Sequence, residues 1–157
     1  MKTSETINTI LYKGIKGGIK QESDLKKLRS VEGTFGSGYY FSNESVATDW
    51  GIGDEGVHLL VAHVSSSNPL VVKGDYEMGL QHGLETPALP LLEKIFPKDD
   101  IILLLNRRDW CYLGEEVEER VKEAGYDSIV VLYDKAFETI VYDEENILVH
   151  EYRLKFV

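Results

Sequence analysis

Phe137-Glu138-Thr139-Ile140-Val141-Tyr142-Asp143 sets one carboxylate at the mouth of an otherwise apolar, β-branched run. The composition predicts a strand, and its period of two puts Glu138, Ile140 and Tyr142 on one face and Phe137, Thr139 and Val141 on the other. Alone, Glu138 reads as a solvated residue at a strand entry, because buried unpaired Glu is uncommon. It gains meaning beside Gly36-Ser37-Gly38-Tyr39-Tyr40-Phe41-Ser42, a glycine-hinged aromatic run able to offer a flat ring and close backbone approach to a planar ligand. A stacking platform with one carboxylate suits glycosidic-bond chemistry.

Working outward, strands are predicted at Ser128 to Tyr133 and Ile147 to Phe156 around this run, and at Ile10-Leu11-Tyr12, Val57 to Val64 and Pro69 to Val72 earlier in the chain. Helices are predicted over Ser23 to Ser30 with Ser23 as N-cap, and after Ser42 or Asn43 with Ala47 and Trp50 on neighbouring turns. Two more are predicted over Leu89 to Ile95 and over Gly114 to Ala124, the latter stopped by Gly125. A loop containing Gly17-Gly18 follows the first strand, and Tyr76 to Leu84 reads as a further loop. Strands dominate both ends and helices interrupt them irregularly, which predicts an α+β fold in a single domain over residues 1–157.

The chain has 157 residues, 43% of them hydrophobic, enough for one well-buried core. No segment approaches the ~18 apolar residues of a membrane span and no signal-peptide core follows Met1, so the expected location is the cytoplasm, with no membrane partner. Cys111 stands alone between Trp110 and Tyr112, a setting for packing more than for nucleophilic work. The net charge of −10 repels nucleic acid on average. Residues 1–30 differ: seven basic groups against three acidic ones give +4, leaving −14 on the remainder. Lys26 and Lys27 there read equally as a solvated face or as a phosphate-binding patch.

Gly51-Ile52-Gly53-Asp54-Glu55-Gly56 fits the dinucleotide pattern G-x-G-x-x-G, but it follows a predicted helix and precedes a strand. That order is inverted, and Asp54 and Glu55 would repel a pyrophosphate, so the segment is read as a turn. His58, His63, His82 and His150 lack the spacing of a zinc site, and no metal is expected.

Tyr12-Lys13-Gly14, Gly36 to Phe41 with Ala47 and Trp50, and Glu138 to Asp143 together resemble the ADP-ribosyltransferase superfamily, in particular the poly-ADP-ribose polymerase catalytic domain and the compact bacterial and phage ADP-ribosyltransferases. Three short motifs stand in the family's order over almost the whole chain. Lys13 occupies the place of a His in the polymerase-like class and of an Arg in many toxins. The resemblance implies two small packed β-sheets with flanking helices around a cleft for NAD+ as co-substrate. It implies that Gly14 bonds the nicotinamide carboxamide through its backbone, that Tyr40 and Trp50 stack on the nicotinamide ring, and that Lys13 holds the ribose or the pyrophosphate. Gly38 and Phe41 belong to the same cofactor-binding set. Glu138 is implied to accept a hydrogen bond from the ribose 2′-hydroxyl and to stabilise positive charge on the sugar as nicotinamide departs.

The activity so implied is mono-ADP-ribosyl transfer from NAD+ to a macromolecular acceptor, protein or RNA or DNA, with the loop Tyr133 to Phe137 touching the acceptor. A toxin or phage-conflict factor, neutralised by an antitoxin or immunity protein, is the associated role. The alternatives are a non-catalytic NAD-binding or interaction module, an NAD glycohydrolase, and an RNA 2′-phosphotransferase.

Overall fold

Strand pairing in the computed structural model, which describes residues 6–15, 22–53, 56–74, 86–107 and 112–156, joins eight strands into one mixed sheet. The strands are β1 (Ile7–Gly14), β2 (Tyr39–Ser42), β3 (Ile52–Gly53), β4 (Gly56–Ser66), β5 (Pro69–Lys73), β6 (Ser128–Leu132), β7 (Phe137–Val141) and β8 (Ile147–Lys155). Among the described residues four helices accompany them: α1 (Glu44–Trp50), α2 (Leu89–Ile95), α3 (Lys98–Arg107) and α4 (Glu115–Glu123). The architecture is α+β. Among the described residues no helix is long and apolar enough to cross a membrane.

The sheet has two halves. In the first, β4 pairs β1 along one edge and β8 along the other, with β3 continuing beside the start of β4. In the second, the antiparallel chain β2-β7-β6 ends in a parallel β6-β5 pair, whose crossover carries α2, α3 and α4. The halves meet at a single registered pair, Tyr12 opposite Ser42. This corrects the expectation of two separate sheets: the backbone hydrogen-bond network is continuous, and the seam between β1 and β2 is almost, but not fully, open.

Helices α2 to α4 cover the second half. Leu91, Leu92, Leu104, Val117 and Val121 pack there on Leu70, Val72, Ile129, Val131 and Ile140, the residues that alternation turns to that face. On the opposite face Leu11, Tyr39, Phe41, Leu60, Ala62, Val64 and Val141 form a second cluster, closed by Leu25. Period two therefore separates Ile140 and Tyr142 from Val141, as the sequence pattern predicts, and likewise Tyr40 from Tyr39 and Phe41.

Two local expectations need correction. The segment read as a helix over Ser23 to Ser30 is a 3-10 helix, Glu22–Leu28, with Lys26 and Lys27 exposed in its last turn. Helix α3 was not read from sequence at all, because Ile101-Ile102-Leu103-Leu104-Leu105 carries strand-like composition. Asn43 occupies the N-cap of α1 but makes no capping bond; its Oδ1 instead accepts from the Phe137 backbone N–H at 3.2 Å. The Ser23 cap, the Gly17-Gly18 loop, the Tyr76 to Leu84 loop, His82, Asp54, Glu55, Trp110 and Cys111 lie outside the residues whose side chains are described.

Candidate active site

A cavity of about 420 Å³ opens at the seam, lined by Lys13 and Gly14 from β1, by Tyr40, Phe41 and Ser42 from β2, by Ala47 and Trp50 from α1, and by Glu138 from β7. The segment before β2 adds Ser30, Glu32, Gly33 and Thr34, and Tyr112 completes the wall. Six of the seven residues singled out from sequence thus share one cavity. Gly38 does not line it.

The reason for each glycine differs. At Gly14 an added Cβ would sit 2.1 Å from the Ala47 carbonyl oxygen and 2.5 Å from the Gly51 nitrogen, so glycine is required by the end of α1 packing on β1. At Gly38, with φ +135°, a Cβ would meet Ile140 at 2.6 Å; this glycine lets β2 start against β7. Gly14 nonetheless has backbone to offer. The Ile15 N–H donates to the His58 carbonyl at 3.0 Å, so odd residues at this end of β1 bond towards β4. Alternation turns the N–H and C=O of Gly14 to the other edge, beyond Tyr12–Ser42 where pairing with β2 has stopped.

Lys13 crosses that gap. Its Nζ donates to the Tyr40 carbonyl at 3.2 Å, replacing a strand bond that the diverging backbones no longer make. Burial pulls its pKa down to about 8, against the raising effect of Glu138. Glu138 shows the mirror image: burial pushes its carboxyl above the usual range and Lys13 offsets part of that. The two charges feel each other without forming an ion pair, and no side chain or backbone N–H among the described residues bonds the Glu138 carboxylate. The bond from the Phe137 N–H to Asn43 fixes the backbone one residue earlier.

Tyr40 presents its ring to the cavity and spends its hydroxyl inside the protein. The O–H donates to the Gly36 carbonyl at 2.6 Å and accepts from the Phe35 N–H at 2.9 Å. Burial raises the phenol pKa well beyond its ordinary value, so it stays neutral. Gly33 lies against this ring, where a Cβ would come within 2.4 Å of the hydroxyl. Phe41 lines the cavity, but its ring is 1% exposed in the cluster with Leu11 and Val141, so its side chain is a core residue. Trp50 is 64% exposed and its ring is available.

Ser30, Glu32, Gly33, Thr34, Ser42 and Tyr112 were not found by sequence reading. The antiparallel bridges Ser30–Gly38 and Gly33–Leu113 bring the first four to the wall, and pairings of that range leave no local pattern. Among the described lining residues Lys13 is the one cation, against Glu32 and Glu138.

Comparison with protein-family models and with curated proteins finds no match.

Proposed function

We propose that this chain is an NAD+-dependent mono-ADP-ribosyltransferase acting on a macromolecular acceptor. The observation that carries the reading is the convergence of Lys13, Gly14, Tyr40, Trp50 and Glu138, separated by up to 125 residues, on one cavity in which the Glu138 carboxylate has no donor among the described residues. The volume falls within the ~300–1,000 Å³ range of small-molecule pockets. The fit to a nicotinamide ribosyl group is chemical as well. Gly14 offers an adjacent donor and acceptor, which match a carboxamide; Tyr40 and Trp50 offer ring faces. Glu138 offers an acceptor for a sugar hydroxyl.

In this reading the C–N glycosidic bond to nicotinamide breaks with its electron pair leaving on the ring nitrogen, and positive charge develops on the ribose. Glu138 stabilises that charge from a partly desolvated position, where an unpaired carboxylate acts most strongly. Lys13 holds the cofactor's anionic side and favours the ionised form of Glu138 against the effect of burial. The acceptor nucleophile then attacks the anomeric carbon and loses its proton. The 2′-phosphotransferase alternative is disfavoured by the described lining, in which two carboxylates stand against one lysine.

Labelled NAD+ incubated with the protein and total lysate, followed by protease or nuclease, tests the proposal. Transfer of label to a macromolecule is expected, together with a rise in Tm at millimolar NAD+ because the ligand binds only the folded state. Absence of both label and Tm shift would overturn it.

A further inference from the structure

The cavity wall contributed by residues 30–34 is held from behind by a side chain that does not line the cavity, in addition to the Tyr40 hydroxyl on Phe35 and Gly36. The stretch leaves the 3-10 helix at Arg29, passes the cavity with Ser30, Glu32, Gly33 and Thr34, and returns through Gly38 into β2. Its stems are tied by Ser30 N–H to Gly38 O at 2.8 Å and Gly38 N–H to Ser30 O at 2.9 Å. Gly33 exchanges bonds with Leu113 at 2.9 and 2.8 Å. Beyond the backbone, Glu118 of α4 reaches both stems: it pairs with the Arg29 guanidinium and accepts from Ser37 Oγ at 2.9 Å. Lys122 Nζ donates to the same carboxylate at 3.0 Å, and Arg29 Nε donates to the Tyr142 carbonyl just past β7. Neither Glu118 nor Arg29 nor Ser37 lines the cavity.

We infer that Glu118 is a positioning residue: by clasping Arg29 and Ser37 it fixes the segment that carries Ser30, Glu32, Gly33 and Thr34, and so sets the shape of the substrate site without touching substrate. The catalytic part of this inference rests on the function proposed above; the mechanical part does not. A purely stabilising residue would loosen the whole fold when changed. A clasp loosens one segment, because the Ser30–Gly38 and Gly33–Leu113 bridges are isolated pairs with no neighbouring ladder, so that Glu118 shares the load with the Tyr40 hydroxyl and the Ser37 N–H bond to the Gly114 carbonyl.

The test is hydrogen exchange of the full chain, comparing Glu118→Gln and the gentler Ser37→Ala with the parent. Glu118→Gln should speed exchange of residues 30–38 by about tenfold or more while β4, β6 and β7 stay protected, and Ser37→Ala should give a smaller change in the same segment. Steady-state kinetics with NAD+ should then show KM raised several-fold and kcat within about twofold. Unchanged protection in residues 30–38 in both variants, or loss spread evenly over the sheet, would overturn the inference. Local loosening in proteins that show no NAD+ turnover, parent included, would reject the enzyme reading and leave the clasp standing.

Discussion

Glu118 and Glu138 are both half-buried glutamates, and they are treated in opposite ways. Glu118 is saturated: burial pushes its carboxyl up, but hydrogen bonds from Arg29, Lys122 and Ser37 outweigh that and hold it below the usual range. Glu138 has the desolvation without a donor among the described residues, and Lys13 compensates only in part. A carboxylate surrounded by donors stabilises a fold; one left short of them stores an interaction for something that arrives later. The same contrast divides the cations. Arg29 is locked by its carboxylate and the Tyr142 carbonyl, whereas Lys13 is buried with one carbonyl bond and a pKa drawn down to about 8.

The largest expected effect comes from making the same isosteric change at both positions. Glu138→Gln removes the charge opposing the developing cation and should cost roughly 10²-fold or more in transfer rate, with NAD+ affinity changed much less. Its stability should hold or rise, since the change removes a desolvated charge that no donor among the described residues satisfies. Glu118→Gln should instead lower the local opening free energy of residues 30–38 by about 1–2 kcal/mol through weakened charge-assisted bonds, with global unfolding little changed. Hydrogen exchange, denaturant melts and single-turnover rates on the two variants decide the matter. A Glu138→Gln protein that is less stable yet fully active would reverse the comparison.

Lys13→Met tests the coupling next. Lys13 lowers the Glu138 pKa, so its removal should move the acid limb of the pH–rate profile upward. Stability gives an independent sign. The folded pKa of about 8 lies below the ordinary lysine value of 10.5, so between these values the unfolded chain binds a proton that the folded chain lacks. Lys13 therefore imposes its full cost below pH 8, and the cost fades as pH rises through that window. The parent should gain stability relative to Lys13→Met between pH 7.5 and about 10. An unchanged difference would mean that the ammonium is not desolvated as described.

The sequence revealed one side of this contrast better than the other. Glu138, Tyr40 and Lys13-Gly14 stand in short strand and turn motifs, where period two already puts Glu138 on the face of Ile140 and Tyr142. The Arg29–Glu118 clasp spans 89 residues and obeys no local period, so neither residue differs in sequence from a solvated charge. Gly14 was legible as a glycine that must be one, but the reason lies in packing: α1 sits where its side chain would be. The seam was misjudged for a related cause. Whether two groups of strands share one hydrogen-bonded pair, such as Tyr12–Ser42, depends on how the backbones diverge, and composition does not encode that.

The smallest effect expected separates the two uses of Tyr40. Its hydroxyl belongs with Glu118, tying Gly36 and Phe35 into the wall, while its ring belongs with Glu138, facing the cavity. Tyr40→Phe deletes both hydrogen bonds and keeps the ring, so it should cost about 1 kcal/mol of stability and leave the NAD+-induced Tm shift nearly intact. Tyr40→Ala should shrink that shift as well, by the loss of a stacking face worth on the order of 1 kcal/mol. If Tyr40→Phe abolishes the shift while Tyr40→Ala does no more, the ring contributes nothing to binding and Tyr40 is wholly a wall residue, on the Glu118 side of the comparison.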